Sequence, residues 1–203
     1  MSEPIRHDDA RTIGVAIAIP PPFGPELQRC RDALGDPMAD AIPPHVTLLP
    51  PTEVRVDEMP VITKHLSSVA ANSDPFEIHL RGAATFRPVS PVVFVALARG
   101  ISDCEQMASA VRTGPLTVDL HLPYHPHVTV AHNLEDKVLD RAFAELADYE
   151  AAFPVTAFGL YEHRVDGYWV ERQSFPLGSA ASSARRAPRS ALSRGRSGRD
   201  HAV

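Results

Sequence analysis

The five residues Pro44-His45-Val46-Thr47-Leu48 return 82 positions later as Pro126-His127-Val128-Thr129-Val130. The chain holds ten histidines and nine threonines among 203 residues, so an H-x-T triplet should arise by chance only roughly 0.4 times. Two copies that also share the preceding proline, the central valine and the following aliphatic are a constraint on the fold. Residues i and i+2 of a strand share a face. As strands, the two segments place His45 with Thr47, and His127 with Thr129, on one face, while Val46, Leu48, Val128 and Val130 enter a core. Each copy sits in the corresponding place of a half-chain, so the two are expected to face each other across a cleft.

The rest of the chain supplies strands and short helices around this pair. Proline reaches 20 of 203 residues, about double the usual share, which suits short strands joined by sharp turns. Ile13, Val15, Ile17 and Ile19 alternate with Gly14, Ala16 and Ala18, a strand with one bulky and one small face. Pro25 opens a short helix that buries Leu27, Cys30 and Leu34 and stops at Gly35. The strand His45 to Leu49 is bracketed by prolines, and a helix is predicted from about Asp57. Phe76 to Arg81 alternates as a half-buried strand, and Val92 to Leu97 is apolar enough for a central one.

The second half repeats this grammar. Ser102 and Glu105 predict a capping box for the helix carrying Met107, Ala108 and Val111. Asn133 is the expected cap of the next helix, with Val138, Leu139, Ala142, Phe143 and Leu146 as its buried stripe. Phe153 to Tyr161 and Tyr168 to Phe175 flank an Asp166-Gly167 turn, a hairpin signal. Residues 1–12 read as an extension and 13–177 as the folded body. Residues 178–203, with six each of Ser, Ala and Arg, read as a disordered tail.

Charge and cysteine content narrow the functional classes. The net charge of −5 divides into +5 over residues 178–203 and −10 over the remainder, which excludes a uniformly basic nucleic-acid coat. The tail arginines could make weak polyanion contacts. Cys30 and Cys104 have no CxxC spacing and fit reduced thiols. The longest early apolar run, Ile13 to Ile19, is too short to span a bilayer, so a cytoplasmic monomer without membrane contact is expected.

Two imidazoles and two hydroxyls converging on one ligand suit phosphoryl transfer at a phosphodiester. One neutral imidazole takes a proton from the attacking oxygen, and the other, protonated, supplies the departing ribose oxygen. The threonine hydroxyls hold the non-bridging oxygens. No metal or cofactor is required by this chemistry. The paired tetrads, about 80 residues apart, make residues 13 to 177 resemble the two-histidine (2H) phosphoesterase superfamily, 2′-5′ RNA ligase-like branch; the Phe86-Arg87-Pro88 segment adds to the likeness. The resemblance implies an α+β, bilobal fold, with two similar sheet-plus-helix lobes around a central groove. It implies metal-independent hydrolysis of 2′,3′-cyclic phosphates at RNA ends or on small cyclic nucleotides, with 2′-5′ ligation as a related activity. It assigns catalysis to His45, Thr47, His127 and Thr129.

Other readings stay open. His121, His125, His127 and His132 cluster, with an H-x-H spacing that metal sites use, although no Asp, Glu or Cys lies between Leu120 and Asn133. A metal-dependent hydrolase is therefore one alternative, and a non-catalytic protein that binds RNA ends or nucleotides is another. Arg87 and Tyr124 are candidates for phosphate and base contacts or for the groove rim. Trp169 reads as core.

Overall fold

Alternating bulky and small residues draw the first strand, β1 (Ala10–Ala18), into the middle of a sheet, with Ile13, Val15 and Ile17 turned into the core. The computed structural model describes residues 9–120 and 122–178. The expected tail, apart from Gly178, and most of the expected extension lie outside those residues, whereas positions 10–12 already belong to β1. The elements that follow are α1 (Phe23–Leu34), β2 (His45–Arg55), α2 (Met59–Ala71), β3 (Phe76–Thr85), β4 (Val92–Arg99) and α3 (Ile101–Val111). Then come β5 (His127–His132), α4 (Asp136–Glu145), β6 (Glu150–Val155), β7 (Ala157–His163) and β8 (Trp169–Pro176). The mixed helix-and-strand class expected from the sequence is the one that folds. Among the described residues no helix is long and apolar enough to cross a membrane.

The strands form an eight-stranded sheet in the order β6-β3-β4-β5-β2-β1-β7-β8, antiparallel at each pairing. Four strands lie on each side of the β2–β5 seam, and that seam has a single register pair, Val46 opposite Val128. These sides are not the two half-chains. β7 and β8 cross back to join β1 and β2, while β6 runs to the far edge beside β3. The single strand expected over Phe153 to Tyr161 is therefore two, broken at Thr156.

Helices brace the thin seam reciprocally. α1 follows β1 yet packs on β5, and α3 follows β4 yet packs on β2. Val46, Leu48, Val128 and Val130 are fully buried. Each would forfeit about 1.5–3 kcal/mol if turned to water, and a one-residue slip of either strand would turn both of its own. The hydrophobic set thus fixes which way the histidines and threonines point.

Three bulges shape the face they point to, one of them making Leu48 the extra residue between the pairs Ala16–Thr47 and Val15–Leu49. Pro50 and Pro51 together oppose Gly14, so β2 continues through its prolines to Arg55 rather than ending at Leu49. A bulge accommodates the missing N–H donors. On β5, Val130 is the extra residue between the pairs Phe94–Thr129 and Val93–Ala131.

Helix starts differ from expectation. The expected capping box at Ser102 is absent because Gly100, at φ 87°, is the N-cap of α3 and Ser102 lies inside the helix. Asn133 sits in the left-handed region at φ 55° and Glu135 is the N-cap of α4. Within α4, Leu139, Ala142 and Leu146 are buried, but Phe143 is 40% exposed.

Candidate active site

β2 brings His45 and Thr47 to one face, and β5 brings His127 and Thr129 to the same face. With Val46 opposite Val128 in antiparallel pairing, His45 lies across from Thr129 and Thr47 across from His127. The imidazoles therefore occupy one diagonal of a square and the hydroxyls the other. All four side chains are half-buried.

The two histidines share a local device. His45 Nδ1 lies 2.7 Å from the Pro43 carbonyl, and His127 Nδ1 lies 2.7 Å from the His125 carbonyl. A carbonyl only accepts, so each Nδ1 carries the proton and each Nε2 is left for a ligand. Burial lowers the pKa of both imidazoles below the ordinary histidine value. The carbonyl bonds oppose that shift, while Arg31 and His127 add to it at His45, and His125 adds to it at His127.

The surroundings of the two histidines differ. Beside His45, β1 presents Ala18, Ala16 and Gly14. This small-residue floor leaves a cavity of about 340 Å³ walled by Tyr161, Trp169 and His132. A Cβ on Gly14 would crowd the Trp169 ring at 3.2 Å, and one on Gly159, on β7 next to Ala16, would meet the Tyr161 ring at 2.7 Å. Burial pushes the Tyr161 phenol up to about 12, so it stays neutral. A second cavity, about 300 Å³, joins His45 to Thr129, His132, Arg31 and Asp36. His127, by contrast, is closed in by rings. Phe86 meets it edge-on at 4.9 Å, Phe94 lies at 5.0 Å, and His125 stacks at 6.5 Å.

The remaining candidates fall as follows. Tyr124 donates its hydroxyl to the Thr47 carbonyl at 2.8 Å, with Arg112 over its ring at 4.5 Å, so it braces β2 from beneath. Arg87 bonds Asp140 at 2.8 Å and approaches Asp136 at 3.7 Å, which directs its guanidinium to α4. His121 lies outside the described residues. Among the described residues no three of His, Cys, Asp and Glu gather into a group that could hold a metal ion. Trp169 lines the groove instead of filling core, and Tyr161 and His132 were not anticipated as groove residues. The small face of β1 was the available signal for the first two. His132 reaches the groove because the bulge at Val130 breaks the alternation of β5.

Comparison with known proteins follows this geometry. A family model described as the 2′-5′ RNA ligase superfamily matches residues 19–167. A protein of Bacillus thuringiensis (strain Al Hakam) named "Putative phosphoesterase" is 26% identical over 147 residues, covering 70% of this chain and 84% of its own. A Bacillus cereus (strain AH187) protein of the same description gives the same figures. Among solved structures, E. coli LigT complexed with 3′-AMP superposes with a TM-score of 0.59 at 20% identity, over 83% of this chain and 98% of LigT. TT0787 of Thermus thermophilus gives 0.56 at 20% identity, over 82% and 98%. The LigT and TT0787 likenesses establish the fold.

Proposed function

The chain belongs to the 2′-5′ RNA ligase superfamily of two-histidine phosphoesterases, and from that premise we propose that it hydrolyses 2′,3′-cyclic phosphates of RNA ends or related cyclic nucleotides without a metal. The observation that carries this reading is the diagonal of two imidazoles whose Nδ1 protons are both committed to backbone carbonyls. In-line displacement at phosphorus needs a base and an acid on opposite sides of the phosphoryl group. We assign those roles to His45 and His127, at opposite corners of the square.

In the proposed step, one neutral Nε2 takes a proton from water as its oxygen bonds to phosphorus. The opposite imidazolium gives its proton to the ribose oxygen as the P–O bond breaks. The products are a ribose phosphomonoester and a free ribose hydroxyl, and the histidine pair ends with its protons exchanged. Thr47 and Thr129, on the other diagonal, donate hydroxyl hydrogen bonds to the non-bridging oxygens and hold the group in line. The apolar cavity beside His45 suits a nucleobase, with Trp169 and Tyr161 as ring surfaces. LigT, a protein of this fold, has been solved with 3′-AMP, which is consistent with a nucleotide in such a groove.

The test is hydrolysis of a panel of 2′,3′- and 3′,5′-cyclic nucleotides and cyclic-phosphate-ended oligonucleotides by protein stripped with EDTA, with products resolved by ³¹P NMR. Turnover of the 2′,3′-cyclic compounds that survives chelation is expected. Dependence on added zinc would move the chemistry to the 121–132 histidines. Tight binding without turnover would make the groove a recognition site.

A further inference from the structure

Arg31 is a charged residue where the helical stripe of α1 should be apolar. It shares that stripe with Leu27 and Leu34 and is only 5% exposed. Its partner Asp36, just beyond the helix, is 7% exposed. Burying two charges costs each its hydration, and such a pair seldom stabilises a fold more than well-packed apolar side chains would. Its geometry indicates what it does instead.

The guanidinium holds the loop that leads to His45. Arg31 Nε donates to Asp36 Oδ2 at 3.0 Å, and one terminal nitrogen lies 2.9 Å from the same oxygen and donates to the Met38 carbonyl at 3.0 Å. The other terminal nitrogen donates to the Ile42 carbonyl. Asp36 Oδ1 in turn accepts the Met38 N–H at 2.9 Å. From Ile42 to His45 the chain passes only through Pro43 and Pro44, whose rings fix φ. The Pro43 carbonyl is the one that accepts the His45 Nδ1 proton, and the Pro44 carbonyl is pinned by the Ile19 N–H at 3.2 Å. A clamp at Ile42 is therefore transmitted almost rigidly to the imidazole.

We infer that Arg31 is a positioning residue for His45: by gripping the 36–42 loop it delivers the Pro43 carbonyl that fixes the ring's tautomer and orientation. The inference rests on the reading of His45 as a proton-transfer group. The groups facing His45 are Arg31 from α1, Asp36 from the loop, Thr47 on its own strand, His127, Thr129 and His132 from β5, and Tyr161 from β7. Arg31 also contributes a positive charge that disfavours protonation of His45. His127 has a carbonyl partner of the same kind, and the charge acting on it comes from His125, so it serves as an internal control.

Two variants separate the grip from the charge. Arg31→Lys keeps a cation but loses the planar fork that spans three acceptors; Arg31→Met loses both. The full chain, ¹⁵N-labelled at histidine, is titrated without substrate while ring-nitrogen shifts report tautomer and pKa. In Arg31→Lys, where the cation is kept, His45 is expected to become a mixture of tautomers with its pKa lowered further, because the Pro43 carbonyl bond that raised it is weakened. Its kcat should fall by about 10²-fold, the cost of a misplaced catalytic group, with KM nearly unchanged. In Arg31→Met the carbonyl bond and the cation are lost together, so the His45 pKa should lie above that of Arg31→Lys, and His127 should titrate as in the parent in both variants. If Arg31→Met fails to fold, Arg31→Lys alone decides. A His45 signal identical to the parent in the folded variants, or equal changes at His127, overturns the inference. Loss of the single tautomer with unchanged turnover supports the clamp and overturns the role of His45 in the reaction.

Discussion

The two sides of the β2–β5 seam carry the same pentapeptide pattern and the same Nδ1-to-carbonyl bond, yet their neighbours have diverged. The row through His45 and Thr129 ends in Ala18 on β1 and Phe94 on β4, and the row through Thr47 and His127 ends in Ala16 and Ala96. On the β1 side, small residues open a cavity under Tyr161 and Trp169. On the β4 side, Phe86 stacks at 4.3 Å on Phe94 and the pair closes over His127. Under the proposed reaction the difference separates two jobs. Proton transfer would need a group on each side of phosphorus, and so both copies of the motif, whereas one nucleoside would need only one open flank.

The strongest way to break this comparison is to remove the symmetric part. His45→Ala and His127→Ala should each lower turnover by about 10²–10⁴-fold, the worth of one positioned proton-transfer group. Equal importance on both sides is the point at issue. Full activity in either variant, with the circular dichroism of the parent, would end the paired mechanism. Thr47→Ala and Thr129→Ala should cost less, near the roughly 0.5–1.5 kcal/mol typical of a lost hydrogen bond.

The asymmetric part is tested by the substrate. Trp169→Ala should lower kcat/KM for a nucleoside 2′,3′-cyclic phosphate by about 1–3 kcal/mol, the usual worth of base–aromatic stacking. It should leave glycerol 1,2-cyclic phosphate, which has no base, nearly unaffected. Phe86→Ala should act in the reverse manner, lowering kcat for both substrates alike because it loosens His127. If both substitutions penalise the two substrates equally, the open flank is not a base site.

The pH profile sharpens the symmetric part again. Both imidazoles have depressed pKa values in the free protein. The base must be neutral and the acid protonated, so both limbs of the kcat/KM bell should lie on the acid side of about 6.5, the ordinary histidine value. A bound phosphodiester anion favours the imidazolium, so the alkaline limb of kcat should move upward on saturation. Linkage gives the sign for stability. The unfolded chain binds these protons more readily, so the full contribution is present above about 6.5 and is lost as pH falls toward the folded pKa values. A kcat/KM optimum well above neutrality would contradict both shifts.

Which parts of this were legible in the sequence follows from how each is encoded. The faces of β2 and β5 depend on a period of two and a fully buried aliphatic set, so His45, Thr47, His127 and Thr129 could be placed on a common face from pattern alone. The Asp166-Gly167 hairpin is local turn chemistry, and Gly167 adopts φ 87° as that turn requires. The break at Thr156 was hidden because β6 and β7 are nearly continuous in sequence and separate only through their partners on opposite sides of the β2–β5 seam. At α3 a local signal lost to a stronger one: Gly100 in the left-handed region turned the chain before Ser102 could cap. His132 needed the register of β5 against β4, and Trp169 needed Gly14 beneath it. Arg31 was open to notice as a charge in an apolar stripe, but its acceptors are backbone carbonyls of a loop without periodicity.

The smallest effect is expected from the C-terminal residues. Leu177 is 8% exposed and donates its N–H to the Thr156 carbonyl at 2.8 Å, and the Gly178 N–H reaches the Ala70 carbonyl at 3.1 Å. These bonds tie the end of the described chain to both the β6–β7 break and the end of α2. Residues 179–203 add six arginines and one aspartate, with no aromatic side chain. Removing them while keeping Gly178 should leave the melting temperature and the turnover of small cyclic nucleotides unchanged within error, because every residue named in the groove and its flanks lies before position 179. Affinity for longer RNA should fall modestly, and its dependence on salt should become shallower, since fewer phosphate counterions are released on binding. A large drop in melting temperature would show that the arginine-rich segment packs on the body; a drop in turnover of small substrates alone would show that it reaches the groove.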